Sequence, residues 1–137
     1  MIVLPSDSII SDRFAGDSEC KNIPSYDIPD EWMGLDIGLT ARFEYAEHLV
    51  GAGTILWNGP MGVFEMENFA HGTKAIAIAV AEATAKGAFS LIGGGDSVAA
   101  IEQAGLADQV SFISTGGGAM LELLEGKTLP GVAAIVG

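Results

Sequence analysis

The sequence has little of what marks secreted and membrane-bound proteins. Its single cysteine, Cys20, leaves no possibility of an internal disulfide bond. No apolar stretch approaches the ~20 residues that cross a bilayer, and the alanine-rich stretch 74–85 is interrupted by Glu82. Residues 1–12 lack the basic start and the long apolar segment of a secretory signal. We therefore expect a cytoplasmic protein that does not enter a membrane.

Positive charge is also scarce. The chain carries six Lys and Arg against 18 Asp and Glu, which gives a formal net charge of −12. A surface of this sign repels polyanions, and binding to a nucleic-acid backbone requires clustered cationic side chains. We therefore expect no nucleic acid among the partners.

Glycine and short apolar runs, in contrast, are abundant. The 137 residues include 19 glycines and are 49% hydrophobic, which fits one compact domain, residues 1–137. Apolar runs of strand length predict strands at 2–4 (IVL), 33–37 (MGLDI), 54–57 (TILW), 89–92 (FSLI) and 110–113 (VSFI). Apolar spacing and closing glycines predict helices at 40–50, 69–86, from 96 or 97 to 105, and at 118–125.

This alternation of strands and helices predicts an α/β fold. The expected architecture is a Rossmann-like open parallel sheet with helices on both faces, because parallel strands need crossover connections. Residues 5–32 fit this scheme less well, since they hold three prolines, scattered acids and no clear period. We interpret them as a surface connection with room for a short strand near 20–23.

Polar and glycine-rich turns follow three of the predicted strands. The three turns are 58–60 (NGP), 93–96 (GGGD) and 114–118 (STGGG). The carboxyl ends of parallel strands share one edge of the sheet, and the first N–H groups of a following helix bind anions because they have no partner within the helix. We predict a phosphate-bearing ligand there, with Asp96 placed to hold Mg²⁺. Tight packing in α/β folds also produces glycine-rich turns, and that explanation stays open.

Several longer motifs resemble one enzyme family. WNGPMGVFE (57–65), IGGGDS (92–97), STGGGA (114–119) and LELLEGKTLPGV (121–132) closely resemble the C-terminal part of phosphoglycerate kinase, and MIVLPSD (1–7) and WMGLDIG (32–38) are similar to the same family. The motifs follow the order of the family and cover essentially the whole chain.

The resemblance implies phosphoryl transfer between 1,3-bisphosphoglycerate and ADP in the presence of Mg²⁺. This chain resembles only the later part of the nucleotide-binding domain, so it would be an incomplete domain that supplies the Mg-ADP/ATP half-site. By motif, Gly34 and Leu35 would line the adenine pocket, and Asn58 and Pro60 would flank the nucleotide. Glu65 would accept hydrogen bonds from the ribose hydroxyls.

The resemblance also assigns the phosphate end of the site. Gly94 and Gly95 would offer N–H groups to the phosphates, Asp96 would ligate Mg²⁺, and Ser97 would add a hydroxyl. The residues nearest the chemistry would be Gly95, Gly117 and Gly118, the last two aiming the start of the final helix at the phosphoryl group in flight. The chain departs from the family pattern at Leu39, Phe112 and Met120.

The chain is short of cations for this chemistry. Its six Lys and Arg are scattered outside the glycine turns, whereas phosphoryl transfer depends on neutralising negative charge. In the resembled family the essential cations lie in the parts that this chain does not match, so we expect the isolated chain to be inactive. The expected edge strand at 2–4 predicts pairing with a complementary part of the enzyme or a second copy. A stand-alone nucleotide- or anion-binding module, or an inert folding fragment, remains the alternative.

Overall fold

The computed structural model describes residues 1–114, which form two small sheets and three α-helices. The strands are β1 (Asp7–Ser11), β2 (Cys20–Pro24), β3 (Met33–Ile37), β4 (Thr54–Trp57), β5 (Phe89–Gly93) and β6 (Phe112–Ser114). The helices are α1 (Leu39–Leu49), α2 (His71–Ala85) and α3 (Gly95–Gln103). Short 3₁₀ turns lie at Ser25–Asp27, Glu67–Phe69 and Ala107–Gln109.

The C-terminal half of the described chain is the predicted parallel sheet. Its strands run in the order β4-β5-β6, with α2 connecting the first pair and α3 the second. This confirms the α/β class and the predicted positions of these strands and helices to within two residues. The predicted helix at 118–125 lies outside the described residues.

The two faces of this sheet differ. Ile55, Trp57 and Ile92 point to one face, where they join a buried cluster with apolar residues of α2 and α3. On the other face Leu56, Phe89 and Phe112 remain 40%, 53% and 58% exposed. Because parallel sheets are normally covered on both faces, the open face marks the described part of the domain as incomplete.

The N-terminal third forms a second, antiparallel sheet in the order β2-β1-β3. The strand predicted at 33–37 exists, but it pairs with β1 and does not join the parallel sheet. The interpretation of 5–32 as a surface connection is wrong, since this stretch holds β1 as well as the short strand expected near 20–23. Strand β1 was not predicted because Asp7, Ser8 and Ser11 interrupt its apolar pattern. These polar side chains are nevertheless buried, since each has a hydrogen-bond partner.

The strand predicted at 2–4 is also wrong. Residues 2–4 pair with no strand among residues 1–114, and Ile2 and Leu4 are exposed. The Val3 carbonyl accepts a hydrogen bond of 3.0 Å from the Tyr45 hydroxyl of α1. An apolar run forms a strand only where a neighbouring strand can accept its backbone hydrogen bonds, and the described part of the chain offers none here.

Two buried aspartates from other elements cap the starts of α1 and α2. Asp7 of β1 accepts hydrogen bonds from the backbone N–H groups of Thr40 at 3.0 Å and Ala41 at 2.7 Å. Asp36 of β3 accepts one from the N–H of Gly72 at 2.8 Å. Each carboxylate satisfies helix donors that would otherwise lack a partner, and it ties a helix of the fold to the antiparallel sheet.

Candidate functional site

The carboxyl ends of the parallel strands bring the predicted turns together. Asn58 follows β4, and Gly94 follows β5. The N–H of Gly94 donates to the carbonyl oxygen of Ser114 at the end of β6, at 3.0 Å. The predicted phosphate turn therefore sits at the edge of the sheet where α/β proteins bind ligands.

Within residues 1–114 the start of α3 carries no side-chain cap. Gly94 precedes the helix with φ +92°, a conformation that favours glycine, and no side chain of this part of the chain accepts from the first N–H groups of the helix. Ser97 in the first turn is fully buried, and its hydroxyl has no hydrogen-bond partner among residues 1–114. A Cβ placed on Gly94 would lie 3.4 Å from Asn58 Oδ1 and 4.0 Å from Ser97 Oγ. Open helix donors and an orphaned hydroxyl thus converge on the Asn58–Gly94 corner.

A cavity of about 380 Å³ gathers three of the predicted nucleotide residues. One wall is the end of β3, with Gly34 and Leu35, and the other is the loop from Pro60 to Val63. The N–H of Val63 donates to the carbonyl of Leu35 at 2.9 Å and joins the two walls directly. The structure therefore brings Gly34 and Leu35, predicted for the adenine pocket, to the same cavity as Pro60, predicted to flank the nucleotide.

The loop after β4 is held by contacts beneath it. The indole N–H of buried Trp57 donates to the carbonyl of Gly59 at 2.5 Å. The hydroxyl oxygen of Thr73 in α2 accepts from the N–H groups of Met61 at 3.0 Å and Gly62 at 3.3 Å. A Cβ on Gly62 would come within 2.5 Å of the Leu35 carbonyl oxygen, so only glycine fits between the loop and β3.

Glu65, the predicted ribose ligand, lies apart from this cavity. It lines a separate cavity of about 350 Å³ with Phe64, Glu67, His71, Lys74 and Gln103, none of which borders the first. Asp96 is exposed in the first turn of α3. Gly117 and Gly118 lie outside the described residues. Of the predicted site residues in residues 1–114, Gly34, Leu35 and Pro60 share one cavity, Asn58 and Ser97 lie beside Gly94, and Glu65 borders a different cavity.

The metal site predicted at Asp96 is at most a partial one. Within residues 1–114 no group of three or more His, Cys, Asp or Glu side chains is arranged to hold a metal ion. A single carboxylate still suits Mg²⁺, which usually binds one or two carboxylates and takes its remaining ligands from phosphate oxygens and water. Asp96 therefore fits a metal that arrives with a nucleotide.

Burial and hydrogen bonding shift the pKa values of the two capping aspartates in opposite directions. Burial acts to raise the pKa of Asp7, but hydrogen bonds from Asn22, Thr40 and Ala41 outweigh it and hold the pKa below its usual value. Burial dominates at Asp36 and raises its pKa, although hydrogen bonds from Gly72 and Ile37 and the charge of Arg42 oppose the shift.

Sequence reasoning missed the supports of the site, namely Asp36 and Thr73. Asp36 could have been noticed because it is a charged residue within the apolar run MGLDI. An aspartate that is buried in a strand needs hydrogen-bond donors around it. Thr73 gave no comparable signal, because a threonine in an alanine-rich helix is ordinary.

The comparisons with known proteins all point to the same protein family. The family model described as phosphoglycerate kinase matches residues 1–127. The chain is 60% identical over 134 residues to the cytosolic phosphoglycerate kinase of Triticum aestivum, covering 98% of this chain and 33% of the wheat protein. It is 54% identical over 136 residues to the phosphoglycerate kinase of Porphyromonas gingivalis, with 99% and 32% covered.

Solved structures agree with these sequence relatives. Phosphoglycerate kinase from Coxiella burnetii superposes with a TM-score of 0.88 at 44% identity, over 96% of this chain and 33% of that one. The enzyme from Pyrococcus horikoshii gives a TM-score of 0.76 at 38% identity, over 92% and 30%. The chain therefore spans about a third of the length of the relatives that it matches.

Proposed function

This chain belongs to the phosphoglycerate kinase family, and from that premise we propose that it supplies the Mg-ADP/ATP half-site for phosphoryl transfer from 1,3-bisphosphoglycerate to ADP. The observation that carries the proposal is the start of α3, where uncapped N–H groups meet the buried, unpartnered hydroxyl of Ser97. Buried polar groups without partners are rare in folded proteins, which makes this hydroxyl a candidate donor to a phosphate oxygen bound at the helix start.

The nucleotide would lie across two neighbouring parts of the structure. Its base would enter the cavity between Gly34 and Pro60, and its phosphates would reach Gly94 and Gly95 at the start of α3. Asn58 stands between the two because it lies two residues before Pro60 and beside Gly94. Glu65 would have to turn toward the ribose from its separate cavity.

The roles nearest the transferred group follow from the same arrangement. The N–H of Gly95 would stabilise charge on the phosphate oxygens, since donors held in place before the reaction need no reorganisation during it. Gly117 and Gly118, which lie outside the described residues, would have the same role by their resemblance to the family motif. Mg²⁺ held by Asp96 would neutralise charge on those oxygens. The acyl phosphate would lose its phosphoryl group to a terminal oxygen of ADP, leaving the carboxylate of 3-phosphoglycerate.

Cations for the transfer would come from the remainder of the enzyme. Arg42 lies 3.7 Å from Asp36, and Lys21 stands over the Trp32 ring at 4.5 Å, so neither is free to clamp a phosphate. The open sheet face with Leu56, Phe89 and Phe112 supports a missing part of the domain as the partner that covers it. A homodimer formed through the same uncovered sheet is the alternative partner.

A cytoplasmic location belongs to the same proposal. The wheat relative is described as cytosolic. Among residues 1–114 no helix has the length and apolarity needed to cross a bilayer.

Calorimetric titration with Mg-ADP tests the half-site. We expect binding to the wild-type chain and an affinity at least about tenfold lower for Asp96→Ala, a loss typical even of outer-shell metal partners. Asp108→Ala is the matched control, because Asp108 is an exposed aspartate in the turn after α3. With EDTA present, wild type and Asp96→Ala should bind ADP equally.

Other outcomes select the alternatives. Binding that ignores both Mg²⁺ and Asp96 would indicate a general anion-binding module, and the absence of heat in every titration would indicate an inert fragment. A coupled kinase assay on the isolated chain should show no turnover, because loss of a cationic clamp costs about 10³-fold or more in rate. Turnover comparable to that of the whole enzyme would contradict the proposed division of labour.

A further inference from the structure

The first turn of α2 contacts both walls of the cavity assigned to the nucleotide base. The N–H of Gly72 donates to Asp36, which follows Leu35 in β3 and lines the first wall. The next residue, Thr73, accepts two hydrogen bonds from the second wall through its hydroxyl oxygen. Besides the direct hydrogen bond from Val63 to Leu35, two successive residues of one helix therefore hold the two walls from beneath.

Thr73 itself does not border that cavity. It is 3% exposed, and its hydroxyl oxygen accepts hydrogen bonds from the N–H groups of both Met61 and Gly62. Removing this oxygen would leave two backbone donors unsatisfied in a buried place, which the loop could relieve only by moving toward water. Such a movement would carry Met61 and Gly62, which line the cavity, away from β3.

We infer that Thr73 is a positioning residue for nucleotide recognition: its hydroxyl holds Met61 and Gly62, which precede the anchored Val63, at the distance from β3 that the base requires. The inference rests on the proposed function. It predicts that Thr73 governs affinity for the base and not for the phosphates, because the start of α3 makes no hydrogen bond to Thr73. A substitution at Thr73 should therefore weaken binding of the base and leave binding of the phosphates unchanged.

The test uses the whole chain and three variants. Thr73→Val removes the hydroxyl at nearly constant shape, and Thr73→Ser restores it. Thr84→Val is the matched control, because Thr84 is also on α2 and its hydroxyl bonds to Val80 and Ser90 near the other end of the helix. Dissociation constants for Mg-ADP and for Mg-pyrophosphate, which has no base, are measured by NMR titration well below each melting temperature.

We expect Thr73→Val to bind ADP about tenfold more weakly, with pyrophosphate affinity unchanged. Thr73→Ser and Thr84→Val should bind ADP within about twofold of the wild type. Wild-type ADP affinity in Thr73→Val, or an equal loss of both ligands, would overturn the inference alone. If the wild-type chain bound no ADP, the proposed function would fall first and the inference with it.

A measurement on the wild type covers the case in which Thr73→Val does not fold. ADP should slow hydrogen exchange at the amides of Met61 and Gly62, because a bound base holds the loop against Thr73. Pyrophosphate should leave their exchange unchanged. If ADP bound without slowing these two amides, Thr73 would have no part in recognition.

Discussion

The starts of α1 and α2 differ from the start of α3 in what satisfies their backbone donors. Asp7 caps the first helix and Asp36 the second, each from a strand of the antiparallel sheet. At α3 a glycine turn precedes the helix, and no side chain of residues 1–114 caps it. All three helices present the same N–H groups and the same dipole, so the difference lies in which helix the fold closes and which it leaves open.

This difference separates stability from binding. A buried carboxylate at a helix start stabilises the folded chain continuously, whereas an open start stabilises it only when an anion is present. The buried hydroxyl of Ser97 makes the open start of α3 less favourable in the free protein, since a desolvated polar group without a partner costs stability. Substitutions at the closed starts should therefore act on folding, and substitutions at the open start on ligand affinity.

The largest effect is expected at Asp36. Asp36→Ala would leave the buried N–H groups of Ile37 and Gly72 without their acceptor and Arg42 without its carboxylate. We expect the free energy of unfolding in urea to fall by about 3–5 kcal/mol, as for other half-deleted buried ion pairs.

The variant to compare with Asp36→Ala lies at the open start of α3. Asp96→Ala removes an exposed carboxylate from the first turn of α3 and should change stability by no more than about 0.5 kcal/mol. Similar losses in the two variants would mean that α3 is closed by a contact of Asp96 and that the distinction between the helix starts is incorrect.

A smaller effect of the opposite kind is expected at Ser97. Ser97→Ala removes a buried hydroxyl that has no partner within residues 1–114, so stability should be unchanged or slightly higher. Affinity for Mg-ADP should fall slightly more than about tenfold, which corresponds to ~1.5 kcal/mol, the lower end of the range for one hydrogen bond to a charged acceptor.

Ser11 supplies the matched control. It is equally buried, but its hydroxyl bonds to Ser18 and to the Glu19 carbonyl. Ser11→Ala should lose about 1 kcal/mol of unfolding free energy and keep its ADP affinity. A stability loss at Ser97 as large as that at Ser11 would show that the Ser97 hydroxyl is satisfied in the free protein.

The sequence allowed the glycine turn before α3 to be predicted but not the capping contacts of α1 and α2. Strands β4 and β5 are apolar runs that lead into polar or glycine-rich turns, and both patterns are local, so these strands and turns were predicted correctly. The helix was expected to begin at Asp96 or Ser97 as a capping residue, whereas α3 begins at Gly95 after Gly94. Strand β1 depends on Asp7, whose partners Thr40 and Ala41 are more than 30 residues away. A polar residue whose burial depends on such a distant helix leaves no pattern in its own neighbourhood.

The site was predictable to a similar extent. Gly34, Leu35 and Pro60 were named from two family motifs, and they line one cavity; their roles toward a nucleotide stay a prediction. The support from Thr73 could not be foreseen, since it requires knowing that α2 begins beneath the loop after β4. The strand at 33–37 was located by its apolar run, yet which sheet it joins depends on the undetected β1.

The smallest and most specific effect is on the pH dependence of stability, where the two capping aspartates should act in opposite directions. The pKa of Asp7 lies below its usual 3.8, so the unfolded chain binds more protons there, and the stabilisation from Asp7 is lost as pH falls through its folded pKa. The pKa of Asp36 lies above 3.8, so its contribution is complete below that value and is lost as pH rises through the folded pKa. The test is urea unfolding from about pH 2 to about pH 7. As the pH rises toward about 3.8, the unfolding free energy of the wild type should increase relative to that of Asp7→Asn. As the pH rises further, it should decrease relative to that of Asp36→Asn. Parallel curves for all three chains would mean that neither carboxylate changes its proton affinity on folding, and that the different hydrogen bonds and charges around the two caps do not alter their pKa values.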